Sequence, residues 1–213
     1  MKRIFKRIPI LLFSLICAAA TSDSVKNVLI IGDSISIGYT PFVQKALASD
    51  INVVHNPGNG GSTERGLDSI ETWVSKREWD VILFNFGLHD LVRKDSLNKY
   101  DVTGKISVPV EKYKENLNKI VSRLRQTTAT LIFINTTVVP ENSSGRKVED
   151  PAIYNAAALE IMNANSIRVL DLYATSQAVH PENSKPGNVH YTDKGYELLA
   201  APIIKSINAI LKK

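Results

Sequence analysis

Ile30-Ile31-Gly32-Asp33-Ser34-Ile35-Ser36 ends an apolar run on a glycine, a carboxylate and a hydroxyl. The run behind it, Val28-Leu29-Ile30-Ile31, does not alternate polar with apolar residues, which predicts a strand covered on both faces. Gly, Asp and Ser then suit a strand-to-helix turn, because each relieves or satisfies turn backbone. Such a turn can also present a serine hydroxyl as a nucleophile, and that reading requires partners from elsewhere in the chain.

Outward from this stretch, Phe42, Val43, Ala46 and Leu47 have the spacing of a helix over 38–48, and residues 51–55 read as a second, shorter strand. After the turn-rich Asn56-Pro57-Gly58-Asn59-Gly60-Gly61-Ser62-Thr63, an amphipathic helix is predicted over 64–79 from Leu67, Ile70, Trp73 and Val74. Three more strands are predicted within 79–87, 129–139 and 167–172, and helices over 110–125, 152–163 and 196–211. Residues 93–107 and 141–150 are the most polar and read as surface loops. Strands alternating with helices of this length argue for an α/β chain with a mostly parallel five-stranded sheet and helices on both faces. In such sheets, sites form beyond the carboxyl ends of the strands.

The 213 residues, 44% hydrophobic and 22% charged, fit one compact domain. At the start, Lys2, Arg3, Lys6 and Arg7 precede an apolar stretch over 8–20 that ends in Ala18-Ala19-Ala20. That order of basic, apolar and small residues is the pattern of a secretory signal peptide, too short to remain as a spanning helix. Its removal after Ala20 would leave 21–213 as the exported domain, secreted or periplasmic. With 22 basic against 21 acidic residues, the formal charge then falls from +5 to +1. No surplus of positive charge remains for nucleic-acid binding. The single cysteine, Cys17, lies in the removed stretch, and the bulky Ile16 before it argues against lipid anchoring there. The mature body would hold no disulfide and no thiol metal site.

Two further stretches offer the partners Ser34 needs. The third predicted strand runs into Gly87-Leu88-His89-Asp90, and the tail carries Asn188-Val189-His190-Tyr191-Thr192-Asp193. A serine alcohol needs a base to take its proton, and His190 supplies an imidazole. Acyl transfer also needs donors aimed at a developing oxyanion, which main-chain N–H groups in glycine-rich turns provide.

Taken in order, these blocks resemble those of the SGNH, or GDSL-type, hydrolase family of esterases and lipases. Gly32-Asp33-Ser34 is similar to the nucleophile block, which implies Ser34 as nucleophile. The stretch ending Gly61-Ser62-Thr63 resembles the second block, with Gly61 as the oxyanion-hole glycine. Gly87-Leu88-His89-Asp90 resembles the third, normally Gly-x-Asn-Asp, with His89 in place of the donor asparagine. The last block implies His190 as general base. The resemblance runs from about residue 25 to the end of the chain and implies a three-layer α/β/α sandwich of flavodoxin-like, SGNH-hydrolase type. It also implies an oxyanion hole formed by Ser34, Gly61 and His89, with no cofactor. Asp33 and Asp90 are read as supporting carboxylates that accept main-chain N–H bonds.

The family's last block usually carries an aspartate three residues before the histidine, where this chain has Gly187. A main-chain carbonyl holding His190 in a dyad, an acid such as Glu182 from a neighbouring loop, and a binding module without turnover are the alternatives this leaves open. Asp193 fits better in the first turn of the last helix. If His190 is the base, activity should rise from mildly acidic to neutral pH as the imidazole loses its proton.

His55 and His180 stand outside any block and read as surface or packing residues, and Trp73, Trp79 and Tyr113 as core. The four histidines have no metal-ligand spacing, so no metal is expected. The polar loops favour small-molecule or glycan esters with short acyl groups, carbohydrate acetyl groups among them. A lysophospholipase or thioesterase is the alternative within the same family.

Overall fold

Val28 through Ile31 are inaccessible to solvent on either face, and so are Val81 through Phe84. This burial is what an uninterrupted apolar strand obtains when helices cover both sides of its sheet. In the computed structural model, which describes residues 25–49 and 51–211, the chain alternates strands and helices throughout. The order is β1 (Lys26–Ile31), α1 (Ser34–Leu47), β2 (Ile51–His55), α2 (Thr63–Val74) and β3 (Val81–Phe84), then β4 (Arg93–Lys94) and β5 (Lys105–Ile106). It continues with α3 (Val110–Leu124), β6 (Thr130–Ile134), α4 (Asp150–Ala164), β7 (Arg168–Leu170), α5 (Leu172–Asn183) and α6 (Asp193–Leu211).

The main sheet has the order β2-β1-β3-β6-β7 and every pairing in it is parallel. Counting its own strands only, this is the 2-1-3-4-5 order of flavodoxin-like folds, as expected from the sequence. The order reverses between β1 and β3, and sites in such sheets form beyond the carboxyl ends of the strands at this reversal. Register sets those ends level: Ile31 pairs with Phe84, and Asn85 N–H donates to the Ile31 carbonyl at 2.9 Å.

Two boundaries and two elements differ from the periodicity. Helix α1 begins at Ser34 itself, because Asp33 caps it with its carboxylate on Ile35 N–H at 2.9 Å. Helix α2 stops at Val74, and Trp79 folds back so that its indole N–H donates to the Val74 carbonyl at 3.0 Å. The polar stretch over 93–107 contains the β4-β5 hairpin rather than loop alone. Helix α5 had no apolar stripe to announce it: its inward face holds Leu172, Ser176, Val179 and His180. The expected leader over 1–20 and Cys17 lie outside the described residues. No described helix is long and apolar enough to cross a membrane.

Candidate active site

Three loops meet around Gly32. Its N–H donates to the Asn56 side-chain oxygen at 2.8 Å, and its carbonyl accepts Gly60 N–H at 2.8 Å. A Cβ on Gly60 would stand 2.6 Å from that carbonyl oxygen, so only glycine permits this approach. The loop after β2 is thereby fixed to the turn that carries Ser34.

Asp90 joins the third loop to the second. Its Oδ1 accepts both Thr63 N–H at 2.9 Å and Thr63 Oγ1–H at 2.6 Å, and Asn116 of α3 donates to Thr63 Oγ1 at 3.1 Å. Asp90 is fully buried, and burial pushes its carboxyl up to about 7 against the opposing Thr63 hydrogen bonds. Asp33, also buried, caps α1 directly beneath Ser34. Both carboxylates thus hold main-chain groups in the two loops.

Ser34 and His190 lie 156 residues apart, and helix packing brings them together. Helix α1 starts at Ser34 and α6 starts three residues after His190. The two helices meet where the Tyr196 ring lies against Gly38, so closely that a Cβ on Gly38 would fall 2.2 Å from the ring. With that contact made, His190 Nε2 stands 2.9 Å from Ser34 Oγ.

The other face of the imidazole meets an unexpected partner. His190 Nδ1 lies 2.9 Å from Asn188 Oδ1, and the main-chain N–H of His190 donates to the same oxygen at 2.9 Å. A main-chain N–H only donates, so the amide must present its oxygen here rather than its NH2. That oxygen in turn requires the proton on Nδ1, which leaves Nε2 bare to accept from Ser34 Oγ–H. The amide therefore selects the tautomer in which His190 Nε2 faces Ser34 Oγ as a hydrogen-bond acceptor. Asn188 is held in its turn, its N–H donating to the Lys185 carbonyl at 3.1 Å and its carbonyl accepting His180 Nε2–H at 2.8 Å.

Neither the main-chain carbonyl nor Glu182 weighed from the sequence holds His190 among the described residues; a side-chain amide does. Asp193 opens α6. His180 is a buried anchor for the Asn188 turn, and His55 is half-buried and bonded to Asn56 O and Ser36 Oγ, both at 2.7 Å. Asn188 was legible only as an unassigned residue two positions before His190, one position off the family spacing.

Gly61 and His89 line a common cleft of about 550 Å³, with Ser34 and His190 outside its lining. Gly61 is buried with φ +67°, and its N–H donates to its neighbour Asn59 Oδ1 at 2.8 Å. Ser34 N–H, the first of α1, has no partner among the described residues, as expected of a helix N-terminus. His89 is half-buried, and burial lowers its affinity for a proton. Arg146, Lys94 and His190 act in the same direction against Asp33. It lines the cleft, and its uncharged form carries one N–H.

The profile of the GDSL-like Lipase/Acylhydrolase family matches residues 30–198. An arylesterase from Vibrio mimicus is 24% identical over 145 residues, covering 63% of this chain and 65% of that protein, just under two thirds of its length. Among solved structures, a lipase/acylhydrolase from Enterococcus faecalis superposes with a TM-score of 0.70 at 23% identity, covering 86% of this chain and 96% of that one. A catalytic mutant of an acetylxylan esterase from Geobacillus stearothermophilus gives 0.69 at 19% identity, over 85% and 94% of the two chains. The chain belongs to the GDSL-like lipase/acylhydrolase family.

Proposed function

We propose that this family member is an exported serine esterase that hydrolyses short-chain acyl esters, carbohydrate acetyl esters among them, through an acyl-enzyme on Ser34. The observation that supports it most is the contact of Ser34 Oγ with the unprotonated Nε2 of an imidazole whose other nitrogen is held by Asn188. Ser34 Oγ forms a bond to the ester carbonyl carbon while its proton passes to His190 Nε2. The carbonyl oxygen becomes an oxyanion that receives hydrogen bonds from Ser34 N–H, Gly61 N–H and the His89 ring. The carbon–oxygen bond to the alcohol then breaks, and His190 returns its proton to the departing alkoxide. Water repeats the sequence against the acyl-enzyme, releasing the acid and regenerating Ser34.

Asn188 carries no charge, so it orients His190 and sets its tautomer without adding a carboxylate's attraction for the imidazolium. An Asn in this position occurs in Cys-His-Asn hydrolases on unrelated folds, so an amide acceptor is compatible with turnover. Short acyl groups are supported by the polar, open surroundings: Ser34 is half-buried, His190 is exposed, and the adjoining cleft is lined mainly by charged and polar side chains.

The test is a series of p-nitrophenyl esters from acetate to decanoate with wild type and Ser34→Ala. The expectation is a maximum at two to four carbons and, in Ser34→Ala, a loss of about 10³-fold or more in kcat/KM. Equal rates in the two proteins would refute the nucleophile, and a maximum at eight carbons or longer would refute the short-acyl preference.

A further inference from the structure

The cleft beside Gly61 and His89 holds more positive charge than the ester chemistry uses. Arg65 reaches it from the first turn of α2, and Lys94 and Lys105 from the facing strands of the β4-β5 hairpin. Behind them Arg146 is anchored by its Nε–H on the Leu88 carbonyl at 3.1 Å and lies over the Tyr100 ring at 5.5 Å; Lys94 approaches the same ring at 5.9 Å. None of these four cations forms an ion pair among the described residues. Two carboxylates, Glu64 and Asp95, also border the cleft. Asp95 is turned into its own loop, where Oδ1 accepts Leu97 N–H at 2.9 Å and Lys99 N–H at 2.8 Å.

The wall that carries the two lysines is braced. Arg93 forms a two-pronged ion pair with Asp150, which is buried at the start of α4, and Arg93 N–H donates to the Gly145 carbonyl. Unpaired cations on a fixed wall, converging on a cleft continuous with the oxyanion-side residues, form an electrostatic complement to an anion. The combined field of Arg146 and Lys94 already reaches His89, whose protonation it disfavours alongside burial.

We propose that this cleft is a subsite for an anionic group, a carboxylate or a phosphate, carried on the alcohol portion of the ester, with Arg65, Lys94 and Lys105 as its ligands. This rests on the esterase reading above, in which the carbonyl oxygen sits at Gly61 and His89 on the edge of the cleft and the alcohol portion of the ester supplies the contacts deeper in it. The substrate class it implies is an O-acylated acidic sugar or another acidic alcohol.

The test compares the acetate esters 4-acetoxybenzoate and 4-acetoxyphenyl phosphate with neutral methyl 4-acetoxybenzoate. The measured quantity is the ratio of kcat/KM for each anionic ester to that for the neutral one. It is taken in wild type, in Lys94→Gln, Lys105→Gln and Arg65→Gln, and in the triple variant. Intrinsic ester reactivity and any partial misfolding cancel when ratios are compared between proteins. The ratio should fall about three- to tenfold for each cation removed and decline in wild type as salt is raised. The anionic ester with the steeper fall identifies carboxylate or phosphate as the preferred group. A ratio that stays within twofold across the triple variant and across salt would overturn the subsite. Such a result leaves the esterase reading standing if the neutral ester is still hydrolysed, whereas failure on all three esters would sink that reading itself.

Discussion

In the proposed mechanism Asn188 does by geometry what a carboxylate does elsewhere by charge as well. Because one oxygen receives both the main-chain N–H and Nδ1–H of His190, the amide cannot rotate to offer its NH2 without losing two hydrogen bonds. Under that mechanism Asn188→Ala should lower kcat/KM about 10²-fold or more, since His190 is then free to adopt the other tautomer. Asn188→Asp should retain activity and move the acidic limb of the pH–rate profile upward, because a neighbouring carboxylate favours the imidazolium. A limb that stays in place would show that the side chain at 188 does not face the imidazole that limits the rate. Restoring the family's usual spacing is a different matter. Gly187 has φ +68°, and a Cβ there would stand 3.0 Å from the Asn142 carbonyl oxygen. Gly187→Asp should therefore cost about 1–2 kcal/mol in urea unfolding and give no gain in kcat/KM; a clear gain would show that the usual acid position can still be used.

At the scale of elements, the Asp90–Thr63–Asn116 chain ties the turn after β3 to the starts of α2 and to α3. Its carboxyl, pushed up to about 7 by burial, keeps a proton in the folded protein that an unfolded chain releases near pH 4. The folded state then binds more protons than the unfolded state between these values, so stability falls as pH rises through this window. Asp90→Asn, which keeps the oxygen for Thr63 and has no proton to lose, should remove that decline. Urea unfolding at pH 5 and pH 8 checks it: wild type should lose on the order of 2–4 kcal/mol more than the variant over this range. The same scale shows where periodicity carries information. Strands β1 and β3 announce themselves because parallel strands buried on both faces are apolar throughout. The two-residue strands of the β4-β5 hairpin are too short to alternate, and α5 turns a serine and a histidine inward, so neither leaves an apolar signature.

Over the whole molecule, the strand order and the sequence blocks lead to the same place. Ser34 follows β1, His89 follows β3, and the reversal of strand order lies between those two strands. The pairing of Ser34 with His190 was legible because each residue sits in a recognisable block, although nothing local encodes the Tyr196–Gly38 contact that brings the blocks together. Asn188 was not legible, because its role depends on a turn held by His180 and Lys185, which only the folded chain brings into position. The cation-lined cleft was equally hidden, since Arg65, Lys94 and Lys105 come from separate elements.

The most direct measurement is covalent labelling with a fluorophosphonate, followed by intact mass and peptide mapping, in wild type and His190→Ala. An alcohol activated by its imidazole should yield one adduct, on Ser34, formed at least about 10²-fold more slowly without His190. A folded wild type that takes no label, or one labelled at Ser34 equally fast in both proteins, would contradict the assignment of His190 as the base that activates Ser34.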